Sequence, residues 1–158
     1  MTRVVKNEEL AVADLPDPIL PGWFEPTGDG RLRLLAQRCG PSGVVVFPRR
    51  ARSVHCGPDE LEDTTLSVEA ELWSWTVADV GMPVMIGQAK FPEGPVVQGY
   101  LQGDPARPPE IGATVEVVPH VVPLPPKGEA TAVTYAFRVP GGTGGVPSAR
   151  AAGAATKE

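Results

Sequence analysis

The stretch QRCGPSGVVVFPRRARSVHCG, running from Gln37 to Gly57, holds both cysteines of the chain, one of its two histidines and its densest run of arginine. Its spacing describes two turns. Cys39-x-x-Ser42-Gly43 opens the first, and Ser53-x-x-Cys56-Gly57 closes the second. Two such turns, each followed by a glycine, frame a zinc ribbon, in which four thiolate or imidazole ligands converge tetrahedrally on the ion. Here positions 42 and 53 are serine, and a neutral hydroxyl is a poor zinc ligand. The stretch therefore reads as a zinc-ribbon-like module with half of its ligands lost, a degenerate site at Cys39, Ser42, Ser53 and Cys56. No resident metal and no cofactor is expected; zinc held by Cys39, Cys56 and His55 is the alternative. The ordinary reading of the two cysteines is a pair of small, half-buried thiols.

Outward from this stretch, the totals narrow the class. With 158 residues the chain suits one compact domain with a small appendage and can bury a core. Its 18 glycines and 19 prolines favour short strands and many turns over long helices. A net charge of −5 argues against a general affinity for nucleic acid. No apolar run approaches the roughly 20 residues that a bilayer requires. The first nine residues, MTRVVKNEE, lack the hydrophobic centre of a secretory signal. Two cysteines make no disulfide framework, so the expected setting is the reducing cytoplasm, with both as thiols.

In chain order, residues 1–30 read as an extended N-terminal arm. Prolines 16, 18, 21 and 26 prevent a regular helix, and Ile19, Leu20, Trp23 and Phe24 are left to dock either on the chain's own core or on a partner. Residues 31–64 are the ribbon-like module. Arg31 to Arg38 reads as a strand or short helix, and Val44 to Phe47 as a buried strand between the turns. Arg31, Arg33, Arg38, Arg49, Arg50 and Arg52 precede an acidic segment that includes Asp59, Glu60, Glu62, Asp63, Glu69 and Glu71. Such a split ordinarily pairs on the surface; the functional reading gives the arginines phosphates or partner acids to meet.

Residues 65–140 read as five strands: Leu66 to Asp79, Val84 to Phe91, Val96 to Gln102, Thr114 to Val122 and Ala130 to Val139. In the first, Trp73, Trp75 and Val77 are expected on one face and Ser74 and Thr76 on the other. Pro92 to Pro95 is a hairpin signal. Five short strands with tight connections predict a mainly β fold ending in a small Greek-key barrel, for which the OB-fold is the commonest answer. Residues 141–158, rich in glycine and alanine, read as a disordered tail.

This order of features resembles the DUF35 family, the "OB-fold, acyl-CoA-associated" proteins with a rubredoxin-like zinc ribbon. The resemblance is carried by Gln37-Arg38-Cys39 with Ser42-Gly43, Phe47-Pro48-Arg49, Cys56-Gly57, the run Leu72 to Val77, and Ile111-Gly112 with Val115 and Val117. It spans roughly residues 15 to 139. The opening LPDP with Gly22-Trp23-Phe24 is similar to the branch that pairs with thiolase-like proteins. The resemblance implies a non-catalytic accessory subunit of an acyl-CoA thiolase or a steroid side-chain aldolase, acting in lipid or steroid metabolism. It implies a heterotetramer with two copies of each chain, in which the partner supplies catalysis and this chain stabilises the complex and helps to bind or channel the acyl-CoA. Trp23, Phe24 and Phe47 are then candidates for partner binding, and Arg38, Arg49, Arg50 and Arg52 for contacts with CoA phosphates or partner acids.

Independent catalysis is not expected. His55 adjoins Cys56, but neighbours on a turn generally point apart, and no carboxylate is placed to orient it. His120 lies between Pro119 and Val121 in a strand and reads as a surface or edge residue. The acids at 59–63 have nothing to raise one of them selectively. The alternative to the accessory role is a free-standing OB-fold module for acyl-CoA or single-stranded nucleic acid. Trp73 and Trp75 would then be stacking platforms, although Glu69, Glu71 and Asp79 on the same strand oppose a polyanion.

Overall fold

The computed structural model describes residues 15–79, 83–124 and 131–141. The arm before residue 15, the turn at Gly81-Met82, the connector before Thr131 and the tail from residue 142 lie outside the described residues. Among the described residues nine strands are present: β1 Phe24–Pro26, β2 Leu32–Cys39, β3 Val45–Val46, β4 Leu61–Thr65, β5 Glu69–Asp79, β6 Pro83–Lys90, β7 Val96–Leu101, β8 Thr114–Pro123 and β9 Thr131–Arg138. Among the described residues there is no α-helix, and so none long and apolar enough to cross a membrane.

β5 to β9 close a barrel in the order β5-β6-β7-β9-β8, the OB-fold arrangement. All its ladders are antiparallel except β7 with β9, which meet in parallel at Tyr100↔Ala136 and Leu101↔Phe137. Gly99 permits this closure. A Cβ there would stand 2.7 Å from Tyr135 Cε2, so the bare backbone lets the ring lie across the junction. The Tyr135 hydroxyl then donates to the Gln98 carbonyl at 2.6 Å. The expected hairpin at Pro92 to Pro95 is present, with the Phe91 amide donating to the Pro95 carbonyl.

The 31–38 segment is a strand. Leu32, Leu34 and Ala36 alternate with partly exposed Arg31, Arg33 and Leu35, and this period-2 pattern buries one face. β2 pairs with β1, β3 and β4, all antiparallel. Its apolar face joins the barrel's own interior. Leu32, Leu34 and Leu66 share one buried cluster with Leu72, Phe91, Val115, Val117 and Phe137. Each such side chain contributes about 1.5–3 kcal/mol by leaving water.

Two details differ from the sequence reading. The strand expected over Val44 to Phe47 shortens to Val45–Val46, half-buried, because the turn before it reaches Val44 and Pro48 has no N–H to continue it. In β5 the alternation breaks: Leu72 faces Ala89, but Ser74 faces Gln88, so Trp73 is the extra residue of a bulge. Trp75 and Val77 thereby share the side of Gly87 and Met85, while Trp73 lies beneath the Lys90 ammonium, 5.4 Å from its ring centre. The three residues do not form one stripe.

The arm is tied down. The Ile19 amide donates to the Val133 carbonyl at 2.9 Å, and the Val133 amide donates to the Asp17 carbonyl at 3.0 Å. Pro18, which has no donor, sits between these two bonding residues in a parallel bridge to β9.

Candidate functional site

The two turns of the Cys39–Cys56 stretch come together. The Gly43 amide donates to the Cys39 carbonyl at 2.7 Å and the Cys39 amide to the Val44 carbonyl at 2.8 Å, folding the first turn on itself. Ser53 and Cys56 bridge each other in the second. The Cys39 thiol, almost fully buried, reaches across and donates to the His55 carbonyl at 3.6 Å. Burial opposes ionisation of Cys39, but hydrogen bonds from the Cys56 thiol and from Ser42 outweigh it and hold Cys39 below its ordinary value. Burial, donation to Cys39 and the resulting negative charge push Cys56 up to about 11.

These residues do not fit zinc. The Ser42 hydroxyl accepts the Val44 amide at 3.3 Å, and the Ser53 hydroxyl accepts the His55 amide at 3.2 Å. Both oxygens are thus engaged in capping their own turns. Among the described residues no three His, Cys, Asp or Glu side chains gather as metal ligands, so His55 does not complete a set with the thiols. Two thiols remain, and two are too few for a structural zinc site.

Trp23 and Phe47 meet edge to face, with centroids 5.3 Å apart. Phe47 meets Tyr135 at 6.1 Å, Tyr135 meets Phe137 at 6.0 Å, and Phe137 meets Phe91 at 6.2 Å. This line of rings runs from the arm through β3's flank into the barrel core. Trp23, Phe24 and Phe47 are partly buried and packed against that core, so one side of each serves the chain's own fold.

The four arginines separate into two kinds. Arg38 stands opposite Glu62 in the β2–β4 ladder and pairs with it at 3.4 Å. Arg49 donates to the Gly22 carbonyl at 2.8 Å, holding the arm, and lies 3.7 Å from Asp63. Arg50 engages through its backbone, its amide donating to Gln37 Oε1 at 2.8 Å. Among the described residues, the exposed side chains of Arg50 and Arg52 face no acid. The basic-to-acidic split therefore resolves in part into ion pairs, Arg31 with Glu69, Arg38 with Glu62 and Arg49 with Asp63, leaving Arg50 and Arg52 available to an anion.

His120 is half-buried rather than on the surface. Its ring stacks on Tyr100 at 4.7 Å, and Gln102 Nε2 lies 3.1 Å from Nδ1, so burial lowers its pKa to about 4. A neutral imidazole enclosed in this way is a structural element. On the barrel's outer side, Leu20, Val84, Ile86, Tyr100 and Tyr135 wall a groove of about 360 Å³. Sequence reasoning missed it. Its one signal is that Val84, Met85 and Ile86 are all apolar, so β6 is apolar on both faces.

No family model and no curated protein matches the chain. Among solved structures, a chain of the "Ltp2-ChsH2(DUF35) aldolase" is similar to it, with 24% sequence identity and a TM-score of 0.51 over 68% of this chain and 84% of that one. At that identity the likeness is one of fold: this chain shares its fold with a chain of that aldolase.

Proposed function

We propose that this chain is a non-catalytic accessory subunit of a thiolase-like enzyme, an acyl-CoA thiolase or a steroid side-chain aldolase, working in the cytoplasm. The observation that carries the proposal is the fold shared with a chain of an aldolase named for two components, Ltp2 and ChsH2(DUF35). Two features of this chain support it. Trp73 is 49% exposed and Ile19 45%, so apolar side chains stand open to another protein. Arg50 and Arg52 stand free to meet the phosphates of CoA or acids of the partner. The chain stabilises the complex and helps to hold the acyl-CoA, the partner carries out catalysis, and the assembly contains two copies of each chain. The chain binds no metal, nucleic acid or membrane.

Co-expression with a thiolase-like protein of the same source, followed by size exclusion, tests this. One peak with equal amounts of the two chains is expected. Replacing Trp23 and Phe24 by alanine should remove this chain from that peak while circular dichroism still reports a folded barrel. If the unaltered chain elutes alone and quenches its tryptophan fluorescence on binding acyl-CoA, it is a free-standing module and the accessory reading fails.

A further inference from the structure

The cysteine turns do something other than hold a metal. Each has spent its serine hydroxyl on its own backbone, and each retains one thiol. The Cys39 sulfur lies 3.6 Å from the His55 carbonyl oxygen, and that carbonyl is bonded to the amide nitrogen of Cys56. The second turn is closed by the Ser53↔Cys56 bridge, and the Cys56 thiol hydrogen-bonds to the Cys39 sulfur, so the two thiols meet between the turns. Disulfides require Cα atoms about 4.4–6.8 Å apart, with the Cβ vectors directed toward each other, and two thiols already in hydrogen-bond contact start close to that arrangement.

We propose that Cys39 and Cys56 form a reversible disulfide that locks the two turns together, taking the structural place of the ribbon's metal. The oxidant is a small-molecule disulfide such as oxidised glutathione. The half-exposed Cys56 thiol passes its proton to the Cys39 sulfur to which it donates and attacks one of the oxidant's sulfurs, forming a mixed disulfide and releasing one glutathione thiolate. The Cys39 thiolate then attacks the Cys56 sulfur, forming the Cys39–Cys56 bond and releasing the second. Two protein thiols lose two protons and two electrons, and the small disulfide gains them as two thiols. Burial protects Cys39 from the first attack and leaves it positioned for the second. The inference is independent of the partner assigned above.

The test uses the full chain as purified, incubated with oxidised glutathione in native buffer and, separately, in urea. Native protein should lose both free thiols, fall in mass by two hydrogens, and yield a reducible peptide linking Cys39 to Cys56; dithiothreitol should restore both thiols. In urea the glutathione adduct on Cys56 should accumulate instead, because the second thiol is no longer held nearby. Cys39→Ser should retain that adduct in native buffer. A lasting adduct on the unaltered native chain, a disulfide between two chains, or two unreacted thiols would each overturn the proposal. So would one equivalent of zinc that blocks the oxidation.

Discussion

Replacing Gly99 with alanine is a sharp perturbation of the barrel because it adds one methyl where the parallel ladder closes. That Cβ would lie 2.7 Å from Tyr135 Cε2, 3.2 Å from Tyr135 Cδ2 and 3.1 Å from Phe137 Cε2. The Tyr135 ring cannot simply swing away, because its hydroxyl is anchored on the Gln98 carbonyl at 2.6 Å. The backbone at Gly99 has no positive φ, so alanine itself fits the conformation and should gain about 0.4–1 kcal/mol by restricting the unfolded chain. Against this stand overpacking, about 1–3 kcal/mol, and weakening of the tyrosine hydrogen bond, about 0.5–1.5 kcal/mol. The net expectation is a loss of about 2 kcal/mol, or about 4–8 °C in Tm for a chain of this size. Urea and thermal unfolding followed by tryptophan fluorescence measure it. Tyr135→Phe frees the ring, so Gly99→Ala should cost less in that background than alone. If Gly99→Ala is as stable as the parent, or if the two changes add, the account of how β7 and β9 meet is wrong.

Three further outcomes follow from the geometry. His120 has a folded pKa of about 4 against an ordinary 6.5, so its contribution is complete above pH 6.5 and is lost as pH falls toward 4. About 3 kcal/mol should disappear over that window, and His120→Gln should flatten the decline when unfolding free energy is measured against pH. Replacing Arg50 and Arg52 together by alanine should leave stability within about 0.5 kcal/mol while weakening acyl-CoA retention by the complex; unchanged retention would remove them from the site. Arg38→Ala should lower stability by no more than about 1 kcal/mol, because its bridge to Glu62 is exposed, and chemical denaturation in 1 M salt should show a smaller effect still, because the salt screens the pair.

Much of the fold was legible because its signals are local. The alternation of Leu32, Leu34 and Ala36 narrows their segment to a strand or short helix, which the pairing of β2 with its neighbours decides, and the spacing of Cys39, Ser42, Ser53 and Cys56 places two turns. Facts that depend on pairing between distant strands were not legible. The run Leu72 to Val77 alternates cleanly in sequence, yet a bulge at Trp73 exists only relative to Ala89 and Gln88, and it reassigns the faces of everything after it. The arginines were legible as a cluster, but which of them are spent depends on the β2–β4 register, which sets Arg38 opposite Glu62. The outer groove joins Leu20 to Tyr135 across more than a hundred residues of chain, beyond the reach of any window. For the candidate site, sequence indicated the aromatic and basic residues, while the contact of Trp23 with Phe47 and Tyr135's link to the core required the fold.

The arm's attachment to β9 has a consequence for colloidal behaviour. β7 pairs with β9 only at Ala136 and Phe137, so the earlier part of β9 would otherwise offer unpaired N–H and C=O groups to any passing strand. Asp17 and Ile19 occupy Val133, and the occupying segment carries prolines at 16, 18 and 21, which have no N–H to offer in turn. Sheet growth therefore stops at the arm, much as a chain reaction stops at a terminator. A version of the protein cut after residue 20 should keep its barrel yet become prone to self-association through β9, visible as light scattering that rises with concentration.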